Sequence, residues 1–225
     1  MTTKAIDTRS TLEITPSADR GGVVPYIVTW SEEKELPIKL VEHAGIGLRF
    51  ADETAADRDR DGILWNRIST QPGRGRPRYA VIHFMRQRRA MRRLLCQICA
   101  QPADRNEQGT LWLLPDVADR RQGWPENLTL AEPPICTPCA QLATRLCPHL
   151  RKGCTAVRAR CAPLSGVKGF IYRPGHPSPI LIRDDLVTYD NQALLRWTLA
   201  EQQLRTLHNC TIVSPDDRDP QRSGS

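Results

Sequence analysis

Two cysteine pairs carry the clearest chemistry in this sequence. They are Cys96-Gln-Ile-Cys99 and Cys136-Thr-Pro-Cys139, with thirty-six residues between the inner cysteines. In a CxxC motif a tight turn directs both thiolates to one point, and two such turns can complete a tetrahedral metal site. Zinc favours four thiolates, and a site filled by four protein ligands leaves no position for water or substrate. We therefore predict a structural Zn²⁺ bound by Cys96, Cys99, Cys136 and Cys139. We predict no catalytic residues.

Three further cysteines and a histidine follow the second pair closely. One interpretation is a second zinc site, although the spacings of two, five and seven residues match no standard metal-binding motif. The other is a set of free thiols, because free cysteine behaves as a small apolar side chain. The sequence favours free thiols, and the ligands of the alternative second site would be Cys147, His149, Cys154 and Cys161.

Arginine dominates the positive charge of the chain. The net charge is +7, and 27 of the 32 basic residues are arginine. A surplus of arginine can indicate polyanion binding, but a GC-rich coding bias also enriches it. The densest stretch runs from Arg74 to Arg93, with eight arginines and no acidic residue.

Within that stretch, Ile82 to Leu95 has apolar residues at helical spacing, which predicts a helix. Two interpretations of its basic surface stay open. The arginines could contact the phosphates of DNA or RNA with little base specificity. They could instead form a solvated or acid-paired outer face on a helix that packs against the zinc module. The residues concerned are Arg86, Arg88, Arg89, Arg92 and Arg93.

Composition and pattern predict an α+β fold of short antiparallel strands, a four-cysteine zinc module and two to three helices. The chain divides into six predicted parts. These are a disordered tail (1–22), a β-rich segment (23–73), a basic linker and helix (74–95), the zinc module (96–150), a β-hairpin plus C-terminal helix (151–213) and a second disordered tail (214–225).

Three local expectations matter for the positions of these parts. Ala156–Cys161 and Gly169–Arg173 are predicted to pair as a β-hairpin, since the first alternates with period two. Asp190 and Asn191 are expected to cap a C-terminal helix, whose apolar stripe runs from Leu194 to Leu207. The acidic stretch from Asp52 to Asp61 lacks calcium-loop spacing and is predicted to be a solvated loop.

The order of motifs over about residues 96–146 resembles the HNH endonuclease group of treble-clef zinc modules. In that group a CxxC is followed by a strand, by an asparagine that Asn127-Leu128 matches here, and by a CxxC that opens a helix. The resemblance implies a treble-clef scaffold. It does not carry over the catalytic residues, because Leu111–Leu114 contains no Asp-His pair and Ala140 stands where the family has a metal-binding histidine. The whole chain also resembles proteins of Streptomyces-type actinobacteria and their phages, a likeness that implies no activity.

Three functions therefore compete. The leading hypothesis is a non-enzymatic structural-zinc protein that contacts nucleic acid through the basic helix. The second is an HNH-like, metal-dependent endonuclease with displaced catalytic residues, for which His83 or His149 would have to enter the site. The third is a structural or partner-binding protein without a nucleic-acid role.

The sequence also bears on location. No stretch approaches eighteen consecutive apolar residues, so we predict no transmembrane helix and no membrane partner. The first residues lack the apolar core of a signal peptide, and a cytoplasmic location is expected. Thiols stay reduced there, which is consistent with metal ligation rather than disulfides.

Overall fold

A computed structural model of the chain describes residues 23–116 and 122–214. The disordered tail predicted over 1–22 lies outside these residues, and so does the tail predicted over 214–225 apart from Ser214. Within the described ranges the chain forms thirteen strands and three α-helices. The mixture of sheets and helices confirms the predicted α+β class.

The first half of the described chain contains β1 (Val28–Trp30), β2 (Leu40–His43), β3 (Gly47–Phe50), β4 (Leu64–Trp65), β5 (Pro77–Ile82), α1 (Phe84–Arg93), β6 (Arg105–Asn106) and β7 (Gly109–Pro115). The second half contains β8 (Thr129–Leu130), α2 (Thr137–Leu146), β9 (Cys154–Cys161), β10 (Leu164–Arg173), β11 (Ile180–Thr188), α3 (Gln192–Leu195), β12 (Thr198–Thr206) and β13 (His208–Val213).

Two larger sheets organise these elements. One has the strand order β11-β10-β12-β4, with β8 also pairing to β12, and only its β12–β4 contact is parallel. The other has the order β13-β9-β7-β6 and is antiparallel throughout. Two separate antiparallel pairs, β1 with β5 and β2 with β3, complete the described strands.

Helix α1 packs against β12, and buried polar groups make the connection. The Gln87 amide donates to the carbonyls of Ala131 and Gln203 at 2.6 and 2.9 Å, and its oxygen accepts the Gln203 N–H. The Arg205 guanidinium on β12 donates to the carbonyls of Met91 and Ala162. Because buried polar groups are costly unless bonded, these contacts fix the helix at one place on the sheet.

The predicted C-terminal helix is wrong beyond its first turn. Asn191 does cap α3, but the helix ends at Leu195, and Thr198–Thr206 is a strand. The apolar spacing of this segment is misleading because β12 is central in its sheet and is buried on both faces. Leu199, Ala200 and Leu204 are all fully buried there, which removes the period-two pattern of a half-exposed strand.

The predicted hairpin between β9 and β10 is also wrong. Both segments are strands, but β9 pairs with β7 and β13, whereas β10 pairs with β11 and β12. The chain changes sheets at Ala162-Pro163, where the Ala162 carbonyl accepts from Arg205 and the Pro163 carbonyl accepts the Thr206 N–H. These bonds hold the chain where it passes from one sheet to the other, so the two strands do not pair with each other.

The acidic stretch is an ion-paired structure rather than a solvated loop. Asp57 is buried and bonds the Arg67 guanidinium at 2.6 Å. The Asp59 side chain is 2% exposed and accepts from the Trp65 indole and from the backbone N–H groups of Asp61 and Ile63. The stretch folds inward at Asp57 and Asp59 because hydrogen-bond donors lie within reach of these two carboxylates.

Candidate metal centre

The two CxxC motifs converge on one point. The Sγ atoms of Cys96, Cys99, Cys136 and Cys139 all lie within 4.8 Å of one another. The Sγ atoms of Cys99 and Cys136 are 3.7 Å apart. Four sulfurs placed about 2.3 Å from one ion in a tetrahedron would lie about 3.8 Å from each other. The donor set and its dimensions therefore fit a tetrahedral metal ion with four thiolate ligands.

The first pair is held by a tight turn that follows α1. The helix ends at Leu94, whose left-handed conformation (φ 51°) turns the chain out of the helical path. The Ala100 N–H donates to the Cys96 carbonyl at 2.9 Å, and the Ile98 N–H points to the Cys96 sulfur at 3.4 Å. These two contacts define the turn and orient the Cys96 sulfur within it.

The second pair is placed by the start of α2. Cys136 is the N-cap residue in extended conformation, and Pro138 lies in the first turn, where its missing N–H costs nothing. Cys139 lies three residues later, so its sulfur returns to the same side as that of Cys136. The prediction of a cysteine pair at a helix N-terminus is confirmed in this respect.

Backbone hydrogen bonds hold the two pairs together. The Gln97 N–H, inside the first motif, donates to the Pro134 carbonyl, two residues before Cys136. The Ile135 N–H donates to Leu111 on β7 at 3.0 Å. Beneath the sulfurs lies an apolar cluster whose buried members are Cys96, Leu111, Leu113, Ile135, Ala140 and Ala156. The cysteines therefore approach each other on a scaffold that packing and hydrogen bonds define.

The thiols show the electrostatic conflict expected of clustered ligands. Burial raises the pKa of Cys136 to about 11, and burial together with the neighbouring sulfurs raises the pKa of Cys139 further. Burial acts in the same sense on Cys99, but the Gln101 backbone and adjacent thiols outweigh it and lower its pKa. Four adjacent thiolates repel one another, and a cation among them removes that conflict.

The alternative second metal site does not assemble. Among the described residues, the cluster formed by the two CxxC motifs is the one group of three or more ligand side chains that converges. Cys154 and Cys161 lie at opposite ends of the eight-residue strand β9, and Cys161 pairs across to His208. The pKa of Cys154 is raised mainly by burial, then by Asp116, and least by the buried Cys147 nearby.

The five arginines of α1 separate into three groups. The first is Arg86, which points inward and is 6% exposed. Its guanidinium donates to both oxygens of Glu33 at 2.6 Å and to the Val28 carbonyl at 2.6 Å. Arg86 is therefore committed to the interior and is not placed to contact phosphate.

The second group, Arg88 and Arg92, faces the buried carboxylate of Asp59, at 3.4 and 3.8 Å. The Arg88 guanidinium also lies over the Trp65 ring, 4.1 Å from its centre. These two side chains correspond to the acid-paired interpretation of the basic face.

The third group, Arg89 and Arg93, is exposed, and no acidic group among the described residues lies within ion-pair distance of either. Arg89 donates to the Tyr26 hydroxyl at 3.1 Å and contacts the Tyr26 ring. The Tyr26 N–H in turn donates to the carbonyl of Ile98, inside the first CxxC motif. We name Tyr26, Arg89 and Arg93 the arginine face. Sequence reasoning missed Tyr26, although its place in an aromatic, β-branched stretch marked it as structured.

The two histidines considered for the endonuclease alternative lie outside the cysteine cluster. His83 is fully buried, where it caps α1 and contacts the Ser69 carbonyl through Nε2. His149 follows α2 and precedes a short 3-10 turn, and it belongs to no convergent ligand group. Asn127, the residue matched to the family's asparagine, has a left-handed backbone and contacts His208 Nδ1 at 2.9 Å.

No helix in the described part of the chain is both long and apolar enough to cross a membrane. Comparison with protein-family models, with curated proteins and with solved structures finds no match to this chain.

Proposed function

We propose that this chain is a structural-zinc protein of treble-clef type that contacts nucleic-acid phosphates through the arginine face. The observation that carries the proposal is the convergence of four sulfurs at tetrahedral spacing. Zinc is the metal proposed, because it binds four thiolates tightly without redox chemistry or an open position. The order of a CxxC turn, a β-hairpin and a CxxC at a helix start supports the treble-clef assignment.

The proposed contact with nucleic acid rests on the difference between the ion-paired arginines of α1 and the two that have no acidic neighbour among the described residues. Arg89 and Arg93 are four residues apart, so they project from the same side of α1. Both lack the carboxylates that neutralise Arg86, Arg88 and Arg92. Tyr26 beside them offers an aromatic surface on which an unpaired base can stack. An exposed pair of arginines with an adjacent aromatic ring is typical of binding to single strands without base specificity.

The metal is tested by native mass spectrometry of the wild type, Cys136→Ser and the matched control Cys161→Ser. We expect one zinc per chain in the wild type and the control, and none in Cys136→Ser. Because Cys136→Ser could fail to fold, cobalt is also loaded into the wild type, where four thiolates should give strong sulfur-to-cobalt charge-transfer absorption. No zinc in the wild type, two zinc ions, or zinc retained by Cys136→Ser would overturn the assignment.

The nucleic-acid contact is tested on zinc-loaded protein with a 20-nucleotide single strand and its duplex as probes. The double variant Arg89→Glu/Arg93→Glu is compared with Arg145→Glu/Arg151→Glu, which changes the charge equally on exposed residues of another segment. Loss of two phosphate contacts should reduce the slope of log K against log salt by about 1.5 to 2 for the first variant only. Equal behaviour of both variants, or no binding by the wild type, would refute the contact and leave the zinc assignment standing.

A further inference from the structure

Strand β11 is an edge with an unusual surface. It pairs with β10 on one side, and its other side has no partner strand among the described residues. Seven of its nine residues are exposed. Of the other two, Asp185 is half-buried and Val187 is buried. Four large apolar side chains contribute to this exposure: Ile180 (41%), Leu181 (51%), Ile182 (48%) and Leu186 (38%).

Free edges of this kind are normally protected. Natural sheets shorten such a strand, cover it, or place lysine or proline along it, because its unpaired N–H and C=O groups can capture another strand. Strand β11 is nine residues long and carries no proline or lysine, and its only departure from regular pairing with β10 is one bulge at Ile182. Its charges are confined to Arg183, Asp184 and Asp185 at the centre, between apolar residues on either side.

This sequence is complementary to itself in the antiparallel direction. When a second copy is paired about Asp184, Arg183 lies opposite Asp185 of that copy, and Ile182 lies opposite its Leu186. Arg183 and Asp185 already contact each other at 2.9 Å within one strand. Two copies would therefore form a ring of four alternating charges on one face of the joined sheet, while the pairs of Ile182 with Leu186 would lie on the opposite face, beside Asp184.

The two Asp184 side chains would meet at the centre of this arrangement. Their repulsion is reduced because Lys168 on β10 already lies 3.6 Å from the Asp184 carboxylate in each copy. The pairing of β11 with β10 runs without a register shift from Arg183 to Thr188, and the irregularity of the strand falls at Ile182, two residues from the proposed centre.

Other registers fit less well. Outward-facing backbone groups alternate along a strand, so a symmetric antiparallel pair can be centred on a residue but not between two residues. A pair centred on Arg183 places arginine opposite arginine and Ile182 opposite Asp184. A pair centred on Asp185 places Asp184 opposite Leu186 and overlaps a shorter part of the strand.

We infer that β11 is a homodimerisation strand, which pairs with β11 of a second copy about Asp184 and joins two five-stranded sheets into one. Edge pairing of this type supplies main-chain hydrogen bonds for affinity and side-chain pairs for register. The interface is isologous, so it closes at two copies and does not propagate into a fibre.

The test uses the full zinc-loaded chain in sedimentation equilibrium. Arg183→Asp places two carboxylates opposite each other, and Asp185→Arg does the same with two guanidinium groups. Each should weaken the dimer by about tenfold or more, which corresponds to about 1.4 kcal/mol. The double variant Arg183→Asp/Asp185→Arg exchanges the two charges and should restore dimerisation to near the wild-type level.

The matched control is Arg145→Asp, an equal charge change on the exposed end of α2, which should leave the dimer unchanged. Thermal unfolding of each variant establishes that the fold is kept. A wild type that remains monomeric at about 100 µM would overturn the inference. So would a dimer that neither single variant weakens, or one that the charge exchange fails to restore.

Discussion

At the scale of single residues, the interior of this protein holds several charges, and the most enclosed is the Glu33–Arg86 pair. The Glu33 carboxylate accepts N–H groups of Trp30 and Gln71 at 2.8 and 3.0 Å in addition to Arg86. Burial by itself would raise the pKa of Glu33, but these donors outweigh it and hold the pKa at about 2. The carboxylate therefore stays charged across the ordinary pH range, and its stabilising effect is lost only as the pH falls from about 4.5 towards 2.

Replacement of Arg86 by methionine is expected to destabilise the fold strongly. Arg86→Met keeps most of the side-chain volume but leaves Glu33 buried without its cation, which costs about 3–5 kcal/mol in comparable cases. Urea unfolding at pH 7 measures the change. The control, Arg93→Met, alters an exposed arginine of the same helix and should change stability by less than about 0.5 kcal/mol. Equal effects of the two substitutions would contradict the buried-pair assignment.

Glu201 on β12 is expected to make stability fall as the pH rises. Burial, with Glu35 and Asp184 nearby, raises the pKa of Glu201 to about 7, although the Asn66 amide donates to it at 2.9 Å. The folded state therefore holds a proton that the unfolded chain releases near pH 4.5, and this stabilisation is lost as the pH rises through 7. Glu201→Gln should match the wild type near pH 4.5 and exceed it by about 3 kcal/mol at pH 8.

Thermal unfolding at several pH values between 4.5 and 8 tests the role of Glu201. The difference between Glu201→Gln and the wild type is the informative quantity, because it cancels the titration of other groups. A difference that is constant over this range would show that Glu201 titrates normally. Glu107→Gln is a suitable comparison, since that side chain is exposed and is not among the groups that act on Glu201.

At the scale of elements, backbone geometry decides where strands pair. Gly109 begins β7 with φ at 113°, a conformation that other residues rarely adopt. A side chain there would also collide with the Ala159 carbonyl on β9. This glycine therefore permits the close approach of β7 and β9 that forms the centre of the four-stranded sheet.

Gly109→Ala is expected to cost more than about 2 kcal/mol, because it combines a left-handed backbone penalty with a clash against backbone atoms. Gly62→Ala is the matched control, since Gly62 also has positive φ (78°) but a Cβ there meets no atom within 4 Å. The control should cost about 1 kcal/mol, from the backbone penalty alone. Chemical denaturation compares the two, and a similar loss in both would rule out the clash.

At the scale of the whole molecule, the candidate metal centre joins parts of the chain that are distant in sequence. The N–H groups of Tyr26 and Ile27 donate to the first CxxC motif, and the N–H of Gln97 donates to Pro134 ahead of the second. A metal ion bound by four thiolates would tie β1, the end of α1 and the start of α2 to one point. Its binding energy would then contribute to folding, since the unfolded chain has no preformed site.

Chelation of the metal should therefore lower the unfolding temperature and loosen all three segments together. Stability should rise by about 1.4 kcal/mol for each tenfold increase in free zinc above the dissociation constant. Scanning calorimetry in zinc buffers gives the dependence, and hydrogen exchange at the Tyr26 and Gln97 amides locates it. Cys136→Ser should show no dependence on zinc. An unfolding temperature unaffected by chelator would contradict a structural role for the metal.

The sequence by itself determined which four cysteines are candidate metal ligands, because a CxxC motif encodes its geometry locally and the remaining question was only whether two such motifs meet. It also determined the short, locally signalled elements: the apolar spacing of α1, Pro138 at the start of α2, and the alternation of β9. These features depend on interactions between residues a few positions apart, which spacing and turn chemistry reveal.

Only the tertiary structure decided which sheet each strand joins and which arginines are neutralised. Strand β12 is covered on both faces, so its burial pattern resembles a helix, and β9 and β10 separate because distant strands compete for them. Arg86 pairs with an acid fifty-three residues earlier in the chain, whereas Arg89 and Arg93 have no acidic partner within residues 23–116 and 122–214. Burial and charge pairing depend on residues that are close in space and far apart in sequence, and a one-dimensional pattern does not contain that information.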